Sequence, residues 1–148
     1  MTRIDFYLNA PNKLHIACKI AAKAASQKMR VLIMAPDEAV AREIDKLMWT
    51  IPATGFLPHC MSSDTLASET QVLIARSIEA LPHDDLLLNL GAQPPSSFSR
   101  FKRLVEIVSS SDDTDKQLAR ERFRFYKDRG YELHHHDLAV TAEGNRDE

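Results

Sequence analysis

Short apolar runs recur along the chain and predict the strands of a sheet. Residues 30–34 (RVLIM) and 85–90 (DLLLNL) are apolar at nearly every position rather than at alternate ones. Strands of that kind are typical of a parallel sheet that helices cover on both faces. The pattern predicts these strands: Arg3–Leu8, Arg30–Met34, Thr70–Ala75, Asp85–Leu90, Arg103–Val108 and Tyr131–His136.

Three segments between these runs carry apolar residues at helical spacing instead. Lys13–Gln27 is rich in alanine, which has high helix propensity and allows close packing. A second helix follows the N-capping residue Asp37, and Lys116–Gly130 forms a third, with Gly130 as its left-handed C-terminal residue. The inner stripe of the second helix is Val40, Ile44, Leu47 and Met48. Because strands and helices alternate, the sequence predicts an α/β fold with a largely parallel sheet and helices on both faces.

The same pattern predicts the domain organisation. Residues 1–138 form a single α/β domain, as expected for a chain of 148 residues, and residues 139–148 are a polar, flexible C-terminal tail. Trp49–Pro58 contains two prolines and a glycine and predicts neither a helix nor a regular strand. Cys60–Glu69 predicts a polar loop.

Composition narrows the class of protein. Hydrophobic residues make up 44% of the chain, charged residues 27%, and the formal net charge is −2. Such a chain folds around a substantial core and is not a globally basic nucleic-acid binder, so any anion recognition must be local. The two cysteines, the absence of a signal-peptide pattern and the absence of a long apolar segment predict a cytoplasmic protein with no membrane partner.

Glycine positions argue against a nucleotide site and an enzyme. The chain has four glycines, and none lies in the turn that joins the first strand to the first helix, where a phosphate-binding loop needs them. Pro11 removes a backbone donor from that turn. No nucleophile elbow or other catalytic constellation is recognisable. The sequence therefore predicts no cofactor, no catalytic residues and a nucleotide-binding-like fold without a phosphate loop.

Three consecutive histidines, His134–His136, raise the possibility of a metal site. On a strand, His134 and His136 share a face with Glu132. Three histidines in a row are not a known ligand spacing and no second ligand pair is in view, so a solvated edge strand is favoured. The sequence predicts no metal and gives this run no role.

The third helix has two distinct faces. Leu118, Ala119, Arg122, Phe125, Tyr126 and Arg129 fall on one side. The other side is a basic stripe with one aromatic residue, made of Lys116, Arg120, Phe123, Arg124 and Lys127. This stripe is either a solvated charged face or a binding face. Phe123 disfavours the solvated face, because a large aromatic residue among four cations is poorly placed for solubility alone. Cations beside an aromatic residue suit an acidic peptide with an apolar end at least as well as nucleic acid.

Trp49–Pro58 is the second candidate surface. The simpler hypothesis is that Trp49 and Phe56 fold back onto the core of the domain. The alternative is an exposed, proline-stiffened apolar platform for a protein partner, because large aromatic residues dominate interface energetics.

Several blocks of this chain resemble the chi subunit of bacterial DNA polymerase III holoenzyme. They are FYL at 6–8, RVLI at 30–33, DE at 37–38, MWTIPATGFLPH at 48–59 and KQLARERFRFYKDRG at 116–130. The resemblance extends to about His136, and the last two blocks are long and idiosyncratic. It implies a parallel α/β fold that looks like a nucleotide-binding fold without the nucleotide site.

The resemblance also implies a non-catalytic bridging function. Members of this family bind the psi subunit of the clamp loader and the acidic C-terminal tail of single-stranded DNA-binding protein, which ends in an apolar residue with a free carboxylate. By this match Lys116, Arg120, Arg124 and Lys127 pair with tail carboxylates, while Phe123 and Val108 line a pocket for the terminal side chain next to Gly130. The psi-facing surface corresponds to Trp49, Pro52, Phe56 and Pro58. Phe123 stands where the family often has tyrosine.

Nucleic acid is then contacted only indirectly. The alternative function is a direct nucleic-acid-binding module that uses the basic helix 116–129. The negative net charge and the single basic helix argue against direct nucleic-acid binding. Competition between an acidic peptide and an oligonucleotide distinguishes peptide binding from nucleic-acid binding.

Overall fold

A computed structural model describes residues 2–50, 59–61, 71–76 and 83–139. The strands are β1 Arg3–Ala10, β2 Val31–Met34, β3 His59–Met61, β4 Val72–Ala75, β5 Leu86–Asn89, β6 Arg103–Ser109 and β7 Glu132–Asp137. The helices are α1 Lys13–Ser26, α2 Glu38–Met48 and α3 Asp113–Asp128, with a short 3-10 helix at Phe98–Arg100.

Within these residues the strands form one seven-stranded sheet in the order β3-β4-β2-β5-β6-β1-β7. Every neighbouring pair is parallel. The predicted α/β class and parallel sheet are therefore confirmed. The predicted third helix starts three residues earlier than expected, because Asp112 caps it by accepting a hydrogen bond from the backbone N–H of Asp115 at 3.1 Å.

Alternate residues of the inner strands enter two separate core layers. Val31, Ile33, Leu86, Leu88 and Val105 pack with α1 and α2 on one face of the sheet. The intervening residues pack with α3 and the 3-10 helix on the opposite face, among them Leu32, Leu87 and Leu104. Helices thus lie on both faces, as predicted, and strands buried on both sides explain the continuous apolar runs.

Strand β3 corrects one prediction. Cys60 and Met61 were expected to begin a polar loop, yet His59–Met61 pairs in parallel with β4, with Cys60 opposite Leu73. The segment has only three residues and lies at the edge of the sheet, so it shows too few positions for a periodicity of two to be visible.

The turn between β1 and α1 is closed by a side-chain cap. Asn12 caps α1, because its side-chain oxygen accepts a hydrogen bond from the backbone N–H of His15 at 3.2 Å. One of the free backbone N–H groups at the start of α1 is thereby satisfied, and Pro11 contributes no backbone donor to this turn. In the described part of the chain, no helix combines the length and apolar character that a bilayer crossing requires. The predicted tail beyond Ala139 lies outside the described residues.

Candidate functional site

A groove of about 790 Å³ lies between α3 and the edge of the sheet formed by β6, β1 and β7. We call it the α3 groove. The helix side is lined by Lys116, Ala119, Arg120, Phe123, Arg124, Lys127 and Asp128. The sheet side includes Phe6, Leu8, Val108 and His135. The five residues that the sequence placed on a basic stripe therefore face one cavity together.

Helix α3 is fixed at both ends. At its start, Asp115 accepts hydrogen bonds from Lys13 Nζ and from the backbone N–H of Ser109, each at 2.8 Å, which ties it to α1 and β6. At its end, Gly130 has φ +82° and its N–H donates to the Lys127 carbonyl at 3.0 Å. A non-glycine residue is strained at that φ, so the predicted C-terminal glycine is confirmed.

A buried polar cluster sets the orientation of α3 on the sheet. Glu106, on β6, is fully buried and accepts hydrogen bonds from Arg122 Nε at 2.9 Å and from the Tyr126 hydroxyl at 2.6 Å. Asn89 Nδ2 donates to the same carboxylate at 2.9 Å. Burial raises the pKa of Glu106, and Arg122, Tyr126 and Asn89 oppose that rise. Because Arg122 and Tyr126 point inward, the basic stripe faces the groove.

The inner face of α3 matches the prediction with one exception. Ala119, Arg122 and Tyr126 are buried, and Phe125 is half-buried. Arg129 was expected on this face, but it is exposed, and its guanidinium lies over the Phe125 ring at 3.6 Å. Arg129 follows the last helical residue, where the 100° periodicity no longer applies.

The cations that line the α3 groove outnumber its acids. Among the described residues, Arg124 and Lys127 have no ion-pair partner, and Arg120 contacts only the Gln117 amide oxygen, at 3.3 Å. Lys116 lies 4.0 Å from an Asp113 carboxylate whose side chain is 99% exposed. Exposed pairs of that length contribute little. Among the described residues, Asp128 is the one acid in the lining beside four cations, so the groove is lined by net positive charge although the chain carries a formal net charge of −2.

Beside these cations the groove has an apolar, aromatic wall. Phe123 is half-buried and packs edge-on against Phe6, with ring centroids 5.4 Å apart. Phe6 is 2% exposed and Val108 6% exposed, so both form the floor rather than the rim. Phe123, the one aromatic residue on the basic stripe, therefore lies at the entrance of an apolar recess.

Six of the seven residues predicted for tail binding line this groove, whereas Gly130 does not. Sequence reasoning missed Phe6, Leu8 and His135. Phe6 and Leu8 were assigned to a strand, and their spacing of two already placed them on one face. His135 alternates with His134 and His136 on β7, so one of the three had to face α3, but the sequence did not show which face that was.

The described residues hold no group of three or more histidine, cysteine or acidic side chains suited to a metal ion. The side chains of the three consecutive histidines, His134–His136, lie on both faces of β7, so they do not converge on one site.

Comparison with known proteins decides the family. The family model described as "DNA polymerase III chi subunit, HolC" matches residues 1–134. The chain belongs to the DNA polymerase III chi subunit family.

Individual chi subunits align over most of this chain. The chi subunit of Pseudomonas aeruginosa is 34% identical over 142 residues, which cover 93% of this chain and 98% of that protein. The Escherichia coli chi subunit is 32% identical over 119 residues, 80% of each chain. The Haemophilus influenzae chi subunit is 33% identical over 119 residues, covering 80% of this chain and 82% of its own.

The second surface expected of a chi-family protein is described only in part. Trp49 caps the C-terminal end of α2 and is 61% exposed, the one large exposed hydrophobic side chain among the described residues. Pro52, Phe56 and Pro58 lie outside those residues. Helix α2 packs on the face of the sheet opposite to α3.

Proposed function

We propose that this protein is a non-catalytic, cytoplasmic accessory subunit of the DNA polymerase III clamp-loader complex. During DNA replication it bridges the psi subunit to the acidic C-terminal tail of single-stranded DNA-binding protein. The observation that carries this proposal is the α3 groove, where unneutralised cations border an aromatic recess.

The cations fit an acidic peptide. Arg120, Arg124 and Lys127 present guanidinium and ammonium donors to the groove. Hydrogen bonds between such donors and carboxylates are roughly twice as strong as neutral ones. Several carboxylates along one extended segment would meet these donors in turn, and their attraction would fall with added salt.

The recess fits the apolar end of such a tail. Phe6, Leu8, Val108 and Phe123 contribute apolar surface beside the cations. A large side chain that enters this space loses contact with water, which is the usual source of affinity at an interface hot spot. The combination favours a peptide over a nucleic-acid backbone, which offers regular charge but no apolar end.

The location of Trp49 supports a bridge. The groove lies on the α3 face of the sheet, whereas Trp49 terminates a helix on the other face. Two partners could therefore be held at once without competing for one surface. An exposed tryptophan is also a typical interface anchor.

Fluorescence anisotropy with a labelled acidic peptide that ends in a large apolar residue tests the proposal. Binding should weaken strongly when the terminal residue is deleted, because the recess is then empty. Tighter binding of a bare single-stranded oligonucleotide than of the intact peptide would instead support the nucleic-acid-binding alternative.

Arg120→Ala should weaken peptide binding by about 1.5–3 kcal/mol, the scale of a hydrogen bond to a charged group. Anisotropy titrations measure this loss. The fold should be retained because Arg120 is exposed and contacts only Gln117. Arg129→Ala is the matched control, since it removes the same charge from outside the groove. An equal loss in both variants would indicate a diffuse charge effect and contradict the assigned contact.

Trp49→Ala should weaken association with psi by about 2 kcal/mol, roughly 30-fold, as expected for an exposed hot-spot residue. Co-purification with psi measures the effect. Peptide binding in the α3 groove should be unchanged, and Arg120→Ala should show the reverse behaviour. Loss of both activities in Trp49→Ala would mean that this segment supports the core.

A further inference from the structure

Helix α1 carries charge of one sign only. Among the α-helices that the structure describes, it alone has no acidic residue, whereas α2 and α3 contain both acids and bases. The whole segment 6–36 lacks aspartate and glutamate. Outer faces of solvated helices usually mix the two signs, because like charges one turn apart repel each other. A helix that is basic throughout is therefore more than a device for solubility.

The outer face of α1 presents a row of basic side chains. His15, Lys19 and Lys23 are exposed and recur at every fourth position, so successive side chains lie about 6 Å apart along one side of the helix. Within the described part of the chain, none of these three side chains forms an ion pair. Lys13, by contrast, is bound to Asp115 at 2.8 Å. The charge of the row is thus available to an external anion.

Lys28 lies just beyond the end of α1 in a conformation that favours glycine. The helix ends in a Schellman motif, in which the N–H of Lys28 donates to the Ala25 carbonyl at 2.9 Å and that of Met29 to the Ala24 carbonyl at 3.1 Å. Lys28 has φ +67°, which strains a residue with a side chain. An exposed cation therefore occupies a position where glycine would cost less, and strain of this kind often accompanies function.

We propose that His15, Lys19, Lys23 and Lys28, here called the α1 basic face, bind the phosphodiester backbone of a nucleic acid. A polyanion with regularly spaced charges relieves the repulsion between cations one turn apart. Neutralising phosphates with lysines releases counterions, which is the main source of sequence-independent affinity for nucleic acid.

The α1 basic face lacks the features that a peptide or a base would need. None of its four residues offers an extended apolar surface, and the one large exposed hydrophobic side chain among the described residues, Trp49, belongs to the end of α2. An apolar anchor would have no pocket there, and bases would have no large aromatic residue to stack on. Charge alone is left, and charge is what the backbone supplies.

This contact is separate from the α3 groove. Helix α1 packs on one face of the sheet and α3 on the other, so occupation of one surface leaves the second one open. The chain belongs to a family of DNA polymerase III subunits, which work beside nucleic acid. The α1 basic face would add a weak direct contact with DNA to the indirect one expected of the groove.

Fluorescence anisotropy at low salt tests the proposal with one labelled oligonucleotide, used as a single strand and annealed to its complement. The intact protein should bind both, and the duplex at least as tightly, because it carries more charge per unit length. Changing Lys19 and Lys23 together to glutamine should weaken binding about tenfold, the scale of two exposed ion pairs. The slope of log K against log salt for the single strand should become shallower by about 1.4, since each lost contact removes about 0.7.

The matched control changes Arg42 and Lys46 together to glutamine. It removes the same charge from exposed positions of α2, a helix that also carries acids, and should leave oligonucleotide binding nearly unchanged. Arg120→Ala should likewise have little effect on oligonucleotide binding, whereas the variant of Lys19 and Lys23 should bind the acidic peptide normally. Failure of the α1 basic face and failure of the α3 groove are therefore distinguishable.

Lys28→Gly separates binding from folding. Glycine adopts the observed φ without strain, so the melting temperature should stay the same or rise. Loss of one cation should nevertheless weaken oligonucleotide binding about threefold. A lower melting temperature with unchanged affinity would show that Lys28 serves the fold and would overturn its place in the α1 basic face.

Three results would overturn the proposal as a whole. The first is that the intact protein binds neither form of the oligonucleotide at low salt. The second is an equal loss of affinity in the α1 and α2 double variants, which would indicate a diffuse effect of net charge. The third is clearly tighter binding of the single strand than of the duplex, which would mean that bases rather than the backbone are recognised.

Discussion

The Arg122→Met variant is expected to unfold with a free energy about 3–5 kcal/mol lower than that of the unchanged protein. Arg122 is 1% exposed and donates to Glu106 and, at 3.1 Å, to the Ala92 carbonyl. Methionine fills much of the same volume but leaves the buried Glu106 carboxylate without its cation. Urea denaturation measures the difference.

The pH dependence of this loss has a defined sign. Burial raises the folded-state pKa of Glu106 above its ordinary value of 4.5, and removal of Arg122 raises it further. A carboxyl with a raised pKa favours the folded state below its unfolded pKa and loses that contribution as the pH rises. The loss in free energy of unfolding caused by Arg122→Met should therefore be largest near neutral pH and should become smaller as the pH falls towards 4.5.

Two further variants make the test specific. Arg120→Met changes an exposed arginine of the same helix and should alter stability by no more than about 0.5 kcal/mol. Adding Glu106→Gln to Arg122→Met removes the unpaired charge and should recover part of the loss. If Arg122→Met is as stable as Arg120→Met, the buried pair does not hold α3 in place.

Phe123→Ala should weaken peptide binding by about 2–4 kcal/mol, as expected for an aromatic residue at the centre of an interface. The change removes one wall of the recess and its contacts with Phe6 and His135. Because Phe123 is only half-buried, the cost to folding should be smaller, about 1–2 kcal/mol. Anisotropy titrations and denaturation curves measure the two effects separately.

Phe125→Ala provides the comparison for this second prediction. Phe125 is also half-buried on α3, but it packs on Phe98 and Arg129 outside the groove. It should lose similar stability and retain peptide binding. Comparable binding losses in both variants would show that Phe123 acts through helix stability rather than through contact with the peptide.

Periodicity was sufficient to predict most of the architecture. The apolar runs at residues 30–34 and 85–90 correspond to β2 and β5, buried on both faces, and the alanine-rich segment forms α1. Strand β3 escaped prediction because a three-residue edge strand carries almost no periodic signal. Its pairing with β4 is a tertiary interaction that local sequence does not encode.

Apart from Val108, which the family resemblance supplied, the candidate site was predictable on its helical side only. A helical wheel places Lys116, Arg120, Phe123, Arg124 and Lys127 on one face without knowledge of the fold. The sheet side depends on the pairing of β1 with β6 and β7, which brings Phe6 opposite Glu106 and His135. Those contacts join residues far apart in sequence, so the depth of the recess and the presence of His135 in its lining could be seen only in the structure.

In the sequence, the salt bridge between Glu106 and Arg122 is only weakly indicated. Glu106 interrupts an otherwise apolar strand, and Arg122 falls on the inner face of α3. Buried charges are usually paired, so two isolated opposite charges on facing elements indicate a pair. Distance and burial were needed to establish that they meet.

We propose that the α3 groove binds the C-terminal tail of single-stranded DNA-binding protein. The most direct measurement is a pull-down of that protein by this chain, with the tail intact and with its last few residues removed. Only the intact form should be retained, and Phe123→Ala or added salt should weaken that retention. Equal retention of both forms would contradict it.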